Sequence, residues 1–446
     1  MSEPQWSRRR LLRSVVGVAG SASVAGTATG SAASRRDDGW EASVATWNLG
    51  LGADFLAVAR GDDAPVAERV GALYRQVLDS RPRVRMDAVA AALAEHRPDV
   101  VGLQEAAVVR RGPRSRGTPA EPDAETVVVD HLAALRGALQ DRGVPYRVAA
   151  VATNADLEFP GRVDGEAVDV RVTDRDVLLV RADADAAVAE ARTGAYDASL
   201  TLPVGDGRTV AIPRGYAAAD LDVRGERVAA VTTHLEAALE GVRRAQAGEL
   251  ASVVASLSPP TVLLGDLNDG PGPEAAGAAA NGTTTSGDDP ATGAYGVVAA
   301  ELSDPVDPGG WPGASASGSG TCCRPASLRP PDADGLSRRI DHVLVAGMRA
   351  SGSRRLGVDP TPVDGSDRAV WPSDHAGVLV GVTPSATGTA TDTEAAATTS
   401  DPTATPTTGA TETRTATPGF GVPAGLAALC AAAAAAALRR NGPDEP

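Results

Sequence analysis

Lysine is missing from this chain: all 42 basic residues are arginine. Cysteine is nearly missing, with three residues, and none has a spacing that would build a cysteine metal site. Cys430 stands alone near the C-terminus, and Cys322 and Cys323 are adjacent. Aromatic residues make up 3% of the chain, so platforms for stacking bases are scarce. No basic helix studded with aromatics marks a nucleic-acid groove, and no repeat of solenoid period occurs. Residues 384–417 lack any large apolar side chain. Such a stretch cannot bury a core, so it reads as a disordered stalk rich in Thr, Ala and Asp.

What is present begins with size and charge. The chain has 446 residues, 43% of them hydrophobic, enough for one large domain or two ordinary ones. Its net charge is −15. An acidic surface would normally repel nucleic acid. The acid excess, the abundance of Ala, Asp and Gly and the absence of Lys resemble a halophilic archaeal proteome, with a high-GC bacterium as the plain alternative. In molar salt the screening length falls to about 3 Å. Net charge therefore excludes no substrate class.

The two ends differ from the middle. Ser7-Arg8-Arg9-Arg10-Leu11-Leu12-Arg13 precedes a small, weakly apolar run from Val15 to Ala33. That order fits a twin-arginine export signal over residues 1–34, cleaved near Ala33. At the other end, residues 418–440 run Pro418-Gly419-Phe420, then an Ala/Leu run to Leu438, then Arg439-Arg440. The apolar run approaches the ~20 residues needed to span a bilayer, with arginines for the cytoplasmic side. This tail resembles the tripartite sorting tail of archaeal surface proteins, which is cut and replaced by a lipid. A simple uncleaved tail anchor is the alternative. Both imply extracellular placement at the cell surface, and partners in the export machinery and a sorting enzyme.

Between the ends, polar residues recur where short apolar runs stop. Thr261-Val262-Leu263-Leu264-Gly265-Asp266-Leu267-Asn268 reads as a buried strand ending at a loop. Asp266 and Asn268, two apart, can face the same way from extended backbone. Asn48 ends the run Val44–Trp47, Glu105 follows Val100–Gln104, and His234 ends Val228–Thr233. Asp341 opens Asp341–Val345, and Asp374-His375 leads into a last strand. Asp174 approaches the strand Val177–Arg181, with Asp176 as its rival. Apolar positions at helical spacing predict helices over Met86–His96, His131–Gln140 and Leu239–Leu257. The Gly/Ser/Pro-rich stretch Gly309–Pro331 reads as a long surface loop.

The ordered set TWN, LQE, TTHLE, GDLND, RIDHV and SDHAGV, spread over residues 41–383, resembles the endonuclease/exonuclease/phosphatase superfamily. That superfamily includes deoxyribonuclease I, exonuclease III-type nucleases and neutral sphingomyelinases. The resemblance implies an α/β fold, a four-layer sandwich of two mixed sheets flanked by helices. It implies a metal-dependent hydrolase for phosphodiester bonds, acting as a monomer on nucleic acid or on lipid and small phosphoesters. The metal is Mg²⁺ or Mn²⁺, held by Glu105 with Asn48 and Asp374 beside it. Mg²⁺ is usually bound by one or two carboxylates plus waters.

His375, its tautomer fixed by Asp341, is expected to move the proton. His234 would donate to a phosphate oxygen, supported by Asp174. Asp266 and Asn268 would position the attacking water or the phosphate, and either His375 or Asp266 acts as the base. Arg243 and Gln246 match a family R-x-x-Q habit and are expected to be structural, as are His96, His131 and His342. The family often has Tyr where this chain has His342. The cysteine pair is left open among a vicinal disulfide, free thiols and pairing elsewhere. The competing reading is a non-catalytic surface module that kept the fold, which the intact set of acids and histidines argues against.

Overall fold

The computed structural model describes residues 40–385, apart from 56–57, 59–63, 116–118, 206–207, 259, 272–292, 307–319 and 331–334. The export-signal and sorting-tail segments lie outside the described residues, as does the stalk apart from Pro384, which ends the last strand, and Ser385. No helix among the described residues is long and apolar enough to cross a membrane.

The chain opens with β1 (Ala42–Asn48), α1 (Val66–Asp79), α2 (Pro82–His96) and β2 (Val100–Gln104). It continues through β3 (Val108–Pro113), β4 (Thr126–Asp130), α3 (His131–Asp141) and the long hairpin β5 (Tyr146–Val163) and β6 (Glu166–Arg181). After β7 (Ala186–Ala195) come the small hairpin β8 (Leu200–Gly205) and β9 (Arg208–Ile212), then β10 (Gly215–Val223) and β11 (Glu226–His234). Next are α4 (Glu240–Ala255), β12 (Thr261–Asp266) and the short α5 (Ala294–Ala299). The last strands are β13 (Asp341–Ala346), β14 (Met348–Leu356), β15 (Thr361–Pro362), β16 (Ala369–Val370) and β17 (Gly377–Pro384).

Two large mixed sheets result. One has the order β14-β17-β1-β2-β6-β3-β4, with β5 also paired to β6. The other has the order β13-β12-β11-β10-β7. Strand alternation gives each sheet two apolar faces. Val44, Val100 and Leu178 of the first sheet meet Ala230, Val262 and Leu264 of the second in a shared core. The opposite residues of the same strands, such as Ala45, Val101 and Leu179, face α2 and α3. Val231 and Leu263 likewise face α4 and α5. The layers are therefore helix, sheet, sheet, helix, as the sequence predicts.

Local signals explain the helices that matter for the site. Pro82 occupies the first turn of α2, where its missing N–H costs nothing. Asp130 caps α3 by accepting from the Ala133 amide at 3.0 Å.

The topology then fixes one functional edge. Each sheet holds one parallel pair, β1 with β2 and β11 with β12. All four of these strands end at the same edge, and the antiparallel neighbours β13 and β17 start there. Register does the rest: His234 pairs with Asp266, and Asp266 pairs with Asp341. Near that edge the sheets approach closely at Gly102, where a Cβ would lie 2.6 Å from the Leu264 Cβ.

The stretch read as a long surface loop is different where it is described. Thr321, Cys322 and Leu328 are fully buried and Arg324 nearly so. This segment is held by structure far away in sequence: the Ala376 amide donates to the Thr321 carbonyl at 2.7 Å, and the Arg324 amide to the Asp374 carbonyl at 2.9 Å. Composition alone hid this, because Gly, Ser and Pro lower the apparent hydrophobicity of a segment in which Arg324 and Leu328 are nonetheless buried.

Candidate active site

Asp266 lies at the centre of the functional edge. Its Oδ1 accepts from the Asn268 amide at 2.8 Å and its Oδ2 from Asn48 Nδ2 at 3.0 Å. The same Oδ2 lies 3.5 Å from His234 Nε2 and 3.7 Å from His375 Nδ1. One carboxylate thus links both histidines. On one side His375 Nδ1 meets the two oxygens of Asp341 at 2.9 and 3.2 Å. Asp341 is fully buried, and Thr321 Oγ1 accepts from its backbone amide at 3.1 Å. With Nδ1 committed to Asp341, Nε2 is the nitrogen left to exchange a proton. Burial alone would lower the His375 imidazolium, but Asp341, Asp266 and Asp374 outweigh it and push it up to about 10.

His234 sits in the opposite electrostatic setting. Burial and the Arg214 guanidinium push it down to about 3, so the ring is neutral. Arg214 Nη1 donates to His234 Nδ1 at 3.0 Å and to Asp174 Oδ2 at 2.8 Å. A neutral ring that accepts at Nδ1 carries its proton on Nε2, which faces Asp266 Oδ2 at 3.5 Å. Asp174 therefore supports His234 through Arg214, where the sequence predicted direct support. Asp176 makes no such link. It is fully buried, and burial and Asp174 hold its carboxyl well above the usual range.

Glu105 follows β2 with a positive φ of 50°, and Asn268 follows β12 with a φ of 51°. Both are non-glycine residues in the left-handed region, which concentrates at functional sites because the surroundings must hold it. The Glu105 carbonyl is gripped by the Ala107 amide at 2.6 Å and by His131 Nδ1 at 3.3 Å. Its carboxylate accepts from the Leu51 amide at 2.7 Å and Asn48 Nδ2 at 3.3 Å. Burial, Asp374 and Asp174 together push Glu105 up to about 7, against the pull of His375 and Arg214. Carboxylates crowded this way fit a divalent cation, which would favour the charged form of Glu105. Asn48 Nδ2 donates to Glu105 and Asp266, which orients both acids, and its Oδ1, the atom a cation would take, accepts from the Gly50 amide at 2.9 Å.

Sequence reasoning missed Arg85. This fully buried side chain donates to the carbonyls of Leu49, Gly50 (2.6 Å) and Pro372 (3.1 Å). It ties the loop after Asn48 to the loop before Asp374. Gly50 needs its positive φ of 63° here, and a side chain would strike Asp374. The signal was present as an arginine at helical spacing with Met86, Val89 and Leu93, on the otherwise apolar buried face of α2. Arg214 carried no such signal, since its partners lie 20 and 40 residues away in sequence. Arg243 and Gln246 are placed as expected for structural residues. Gln246 accepts from the Glu236 amide at 2.8 Å, and Arg243 donates to the Glu236 carbonyl. His342 is buried and donates from Nε2 to the Asp269 carbonyl at 2.8 Å. Cys322 and Cys323 are joined as a vicinal disulfide, and their sulfurs and a His375 ring nitrogen lie within 4.8 Å of one another.

The endonuclease/exonuclease/phosphatase family pattern matches residues 45–375. The chain belongs to that family. Its members hydrolyse phosphoesters, and the edge just described carries the residues that the motifs supply. An endonuclease/exonuclease/phosphatase family protein from Bacteroides thetaiotaomicron is similar in structure at 18% identity and a TM-score of 0.45, over 78% of this chain and 99% of that one. A mannosyl-6-phosphatase from the same organism matches at 16% identity and a TM-score of 0.40, over 77% and 99%. TDP2 from D. rerio, bound to a single-strand DNA product, matches at 15% identity and a TM-score of 0.40, over 77% and 99%. No curated protein is significantly similar to the chain in sequence.

Proposed function

We propose that the chain is a Mg²⁺- or Mn²⁺-dependent phosphodiesterase that works outside the cell, anchored by its C-terminal tail. Its substrate is nucleic acid or a lipid or small phosphodiester. The observation that carries this reading is the hydrogen-bonded cluster Asn48–Asp266–Asn268, with His234 beside Asp266 on one flank and His375–Asp341 on the other. A surface module that had lost catalysis would have no reason to keep two histidines in opposite charge states around one carboxylate.

The chain's own residues divide the work. Asp341 holds the His375 ring so that Nε2 can pass a proton to or from the reacting oxygens. Asp266, fixed by Asn48 and the Asn268 amide, aligns the water. His234 presents its Nε2 proton to a phosphate oxygen, and Asn268 stands beside it as a further polar group. Glu105, with Asp374, would hold the cation, which when bound would neutralise charge on the phosphate.

The test is a substrate panel at high salt: plasmid DNA, sphingomyelin and bis(4-nitrophenyl) phosphate, each with Mg²⁺, Mn²⁺, Ca²⁺ or excess chelator. Activity is expected to vanish on chelation and return with Mg²⁺ or Mn²⁺. Full activity in excess chelator on every substrate would remove the metal from the reading.

A further inference from the structure

His131 is a buried titratable side chain with no part in the proton transfers at the site. It is the first residue of α3 and is fully buried. Two bonds tie it to the turn that follows β2. Its amide donates to the Ala107 carbonyl at 3.0 Å, and its ring Nδ1 meets the Glu105 carbonyl at 3.3 Å. A carbonyl can only accept, so Nδ1 carries the proton of this contact. The Glu105 carbonyl thus takes two donors, one from the Ala107 amide and one from a side chain 26 residues away.

The turn needs both. Glu105 keeps a φ of 50°, and the Ala107 amide closes on its carbonyl at 2.6 Å. A left-handed glutamate lasts only where its neighbours over-determine it. Arg175 of β6 shares the task. Its carbonyl accepts from the Ala106 amide at 3.0 Å, its Nε donates to the Ala106 carbonyl at 2.7 Å, and its Nη2 donates to Asp130, the cap of α3, at 2.7 Å. Helix α3 and β6 therefore grip residues 105–107 together, and within this grip His131 supplies the side-chain contact to the Glu105 backbone.

The backbone decides where the carboxylate goes. At this φ it reaches the Leu51 amide at 2.7 Å and Asn48 Nδ2 at 3.3 Å, both at the functional edge. In the extended conformation of an ordinary strand the side chain would leave in another direction, and the carboxylate would lose both contacts. An apolar side chain would fill the place of His131 without burying two polar nitrogens. What the imidazole adds is the bond to the carbonyl.

We propose that His131 is a positioning residue for Glu105: its Nδ1–H holds the carbonyl of the left-handed turn and so sets the carboxylate where a divalent cation binds. This rests on the metal-dependent phosphodiesterase reading and deepens it. Groups that stand behind a metal ligand change metal affinity or activity by about 10- to 100-fold when removed. His131 acts through Glu105 and touches no reacting group.

The test measures Mn²⁺ binding directly, by electron paramagnetic resonance, on the full chain and on His131→Leu, His131→Asn and His131→Gln. Glu105→Gln marks the site, since it removes the binding event that belongs to Glu105. Asn carries its amide nitrogen where Nδ1 stands, and Gln carries it further out, where Nε2 stands. His131→Leu and His131→Gln should weaken Mn²⁺ binding about tenfold, the lower end of the range for such groups, and His131→Asn should recover most of the affinity. Excess Mg²⁺ should restore most of the turnover that His131→Leu loses on bis(4-nitrophenyl) phosphate. Leu135→Val, which trims the buried face of α3 one turn further on, is the control for packing. It should lower the melting temperature and leave Mn²⁺ affinity within about twofold, well below the loss expected at His131. Should His131→Leu fail to fold, the comparison of Asn with Gln decides by itself. Equal affinity in the folded Asn and Gln variants would overturn the proposal, as would affinity that follows the melting temperature in every variant, Leu135→Val included. Wild-type binding that Glu105→Gln leaves intact would overturn it too, because Glu105 then holds no cation. A wild-type chain that binds Mn²⁺ through Glu105 but hydrolyses none of plasmid DNA, sphingomyelin and bis(4-nitrophenyl) phosphate would overturn the phosphodiesterase reading instead, and the binding series alone then decides on His131.

Discussion

At the scale of single residues, His375 and Asp341 form the contact with the clearest energetic consequence. The imidazole Nδ1 has both Asp341 oxygens within 3.2 Å, and neither residue is more than slightly exposed. An acid so placed fixes which ring nitrogen faces the substrate. Groups that act as one unit lose activity non-additively. His375→Ala should therefore cost at least about a hundredfold in turnover, within the range of general acid–base help. Asp341→Asn should cost a comparable amount, and the double variant little more than the worse single one. Kinetics of the four proteins on one good substrate, with folding checked by circular dichroism, measure this. Near-wild-type turnover in folded His375→Ala would exclude that residue from the mechanism, and fully additive losses would break its link to Asp341. The support for His234 is a different matter. A carboxylate was expected directly behind the ring, and the structure puts Arg214 there, bridging to Asp174. That substitution changes the chemistry: an acid would raise the ring's basicity, whereas a guanidinium keeps it neutral.

At the scale of elements, the site depends on how β13 is anchored. Arg339, immediately before this strand, donates to both oxygens of Asp304 at 2.8 and 2.7 Å in a nearly buried pair. Burial alone would push the Asp304 carboxyl up, but His342 and Arg339 outweigh it and hold it well below the usual carboxylate range. A depressed acid contributes stability that is complete above its unfolded value, about 3.9, and fades as pH falls below that. Asp304→Asn leaves Arg339 buried without its counter-charge, a loss of about 3–5 kcal/mol for pairs of this kind. Urea unfolding at pH 7 should show that deficit, and the gap between variant and wild type should narrow as pH drops below about 4. A deficit that stayed constant to pH 3 would show that the carboxylate charge is not what anchors the strand.

Legibility from sequence also divides at this scale. β1, β2, β11, β12 and β13 were readable because each is a short apolar run with a polar residue at or just beyond one end, and that polar residue is the candidate site residue. The β5–β6 hairpin was only half readable. Its strands span 18 and 16 residues, and Asp164-Gly165 between them, both at positive φ, are a hairpin turn signal that the sequence reading passed over. The buried segment around Cys322 was misread, because its burial comes from contacts with Ala376 and Asp374 that no local pattern encodes.

At the scale of the whole molecule, the sequence divides into a catalytic unit and two ends of contrasting composition. The core motifs fall within residues 45–375, and the remaining chain has the makings of address labels. Residues 7–13 combine three consecutive arginines with two leucines, and residues 15–33 are too weakly apolar to be a membrane helix of the ordinary kind. A weakly apolar segment after twin arginines suits a route that carries folded protein. Such a route would suit a chain whose site is assembled from strands hundreds of residues apart, such as β1 and β13, and which carries a Cys322–Cys323 bond. On the proposed surface placement, the tail from Pro418 to Arg440 would keep the enzyme there, either as an uncleaved anchor or after exchange for a lipid. The sorting-tail form predicts a mature protein that has lost both ends. Mass spectrometry of the intact protein from its own cells, after membrane fractionation, should find neither Arg8 nor Leu438. Retention of Leu438 in a membrane-bound species would select the uncleaved anchor, and a full-length species in the cytoplasm as the main form would overturn export altogether.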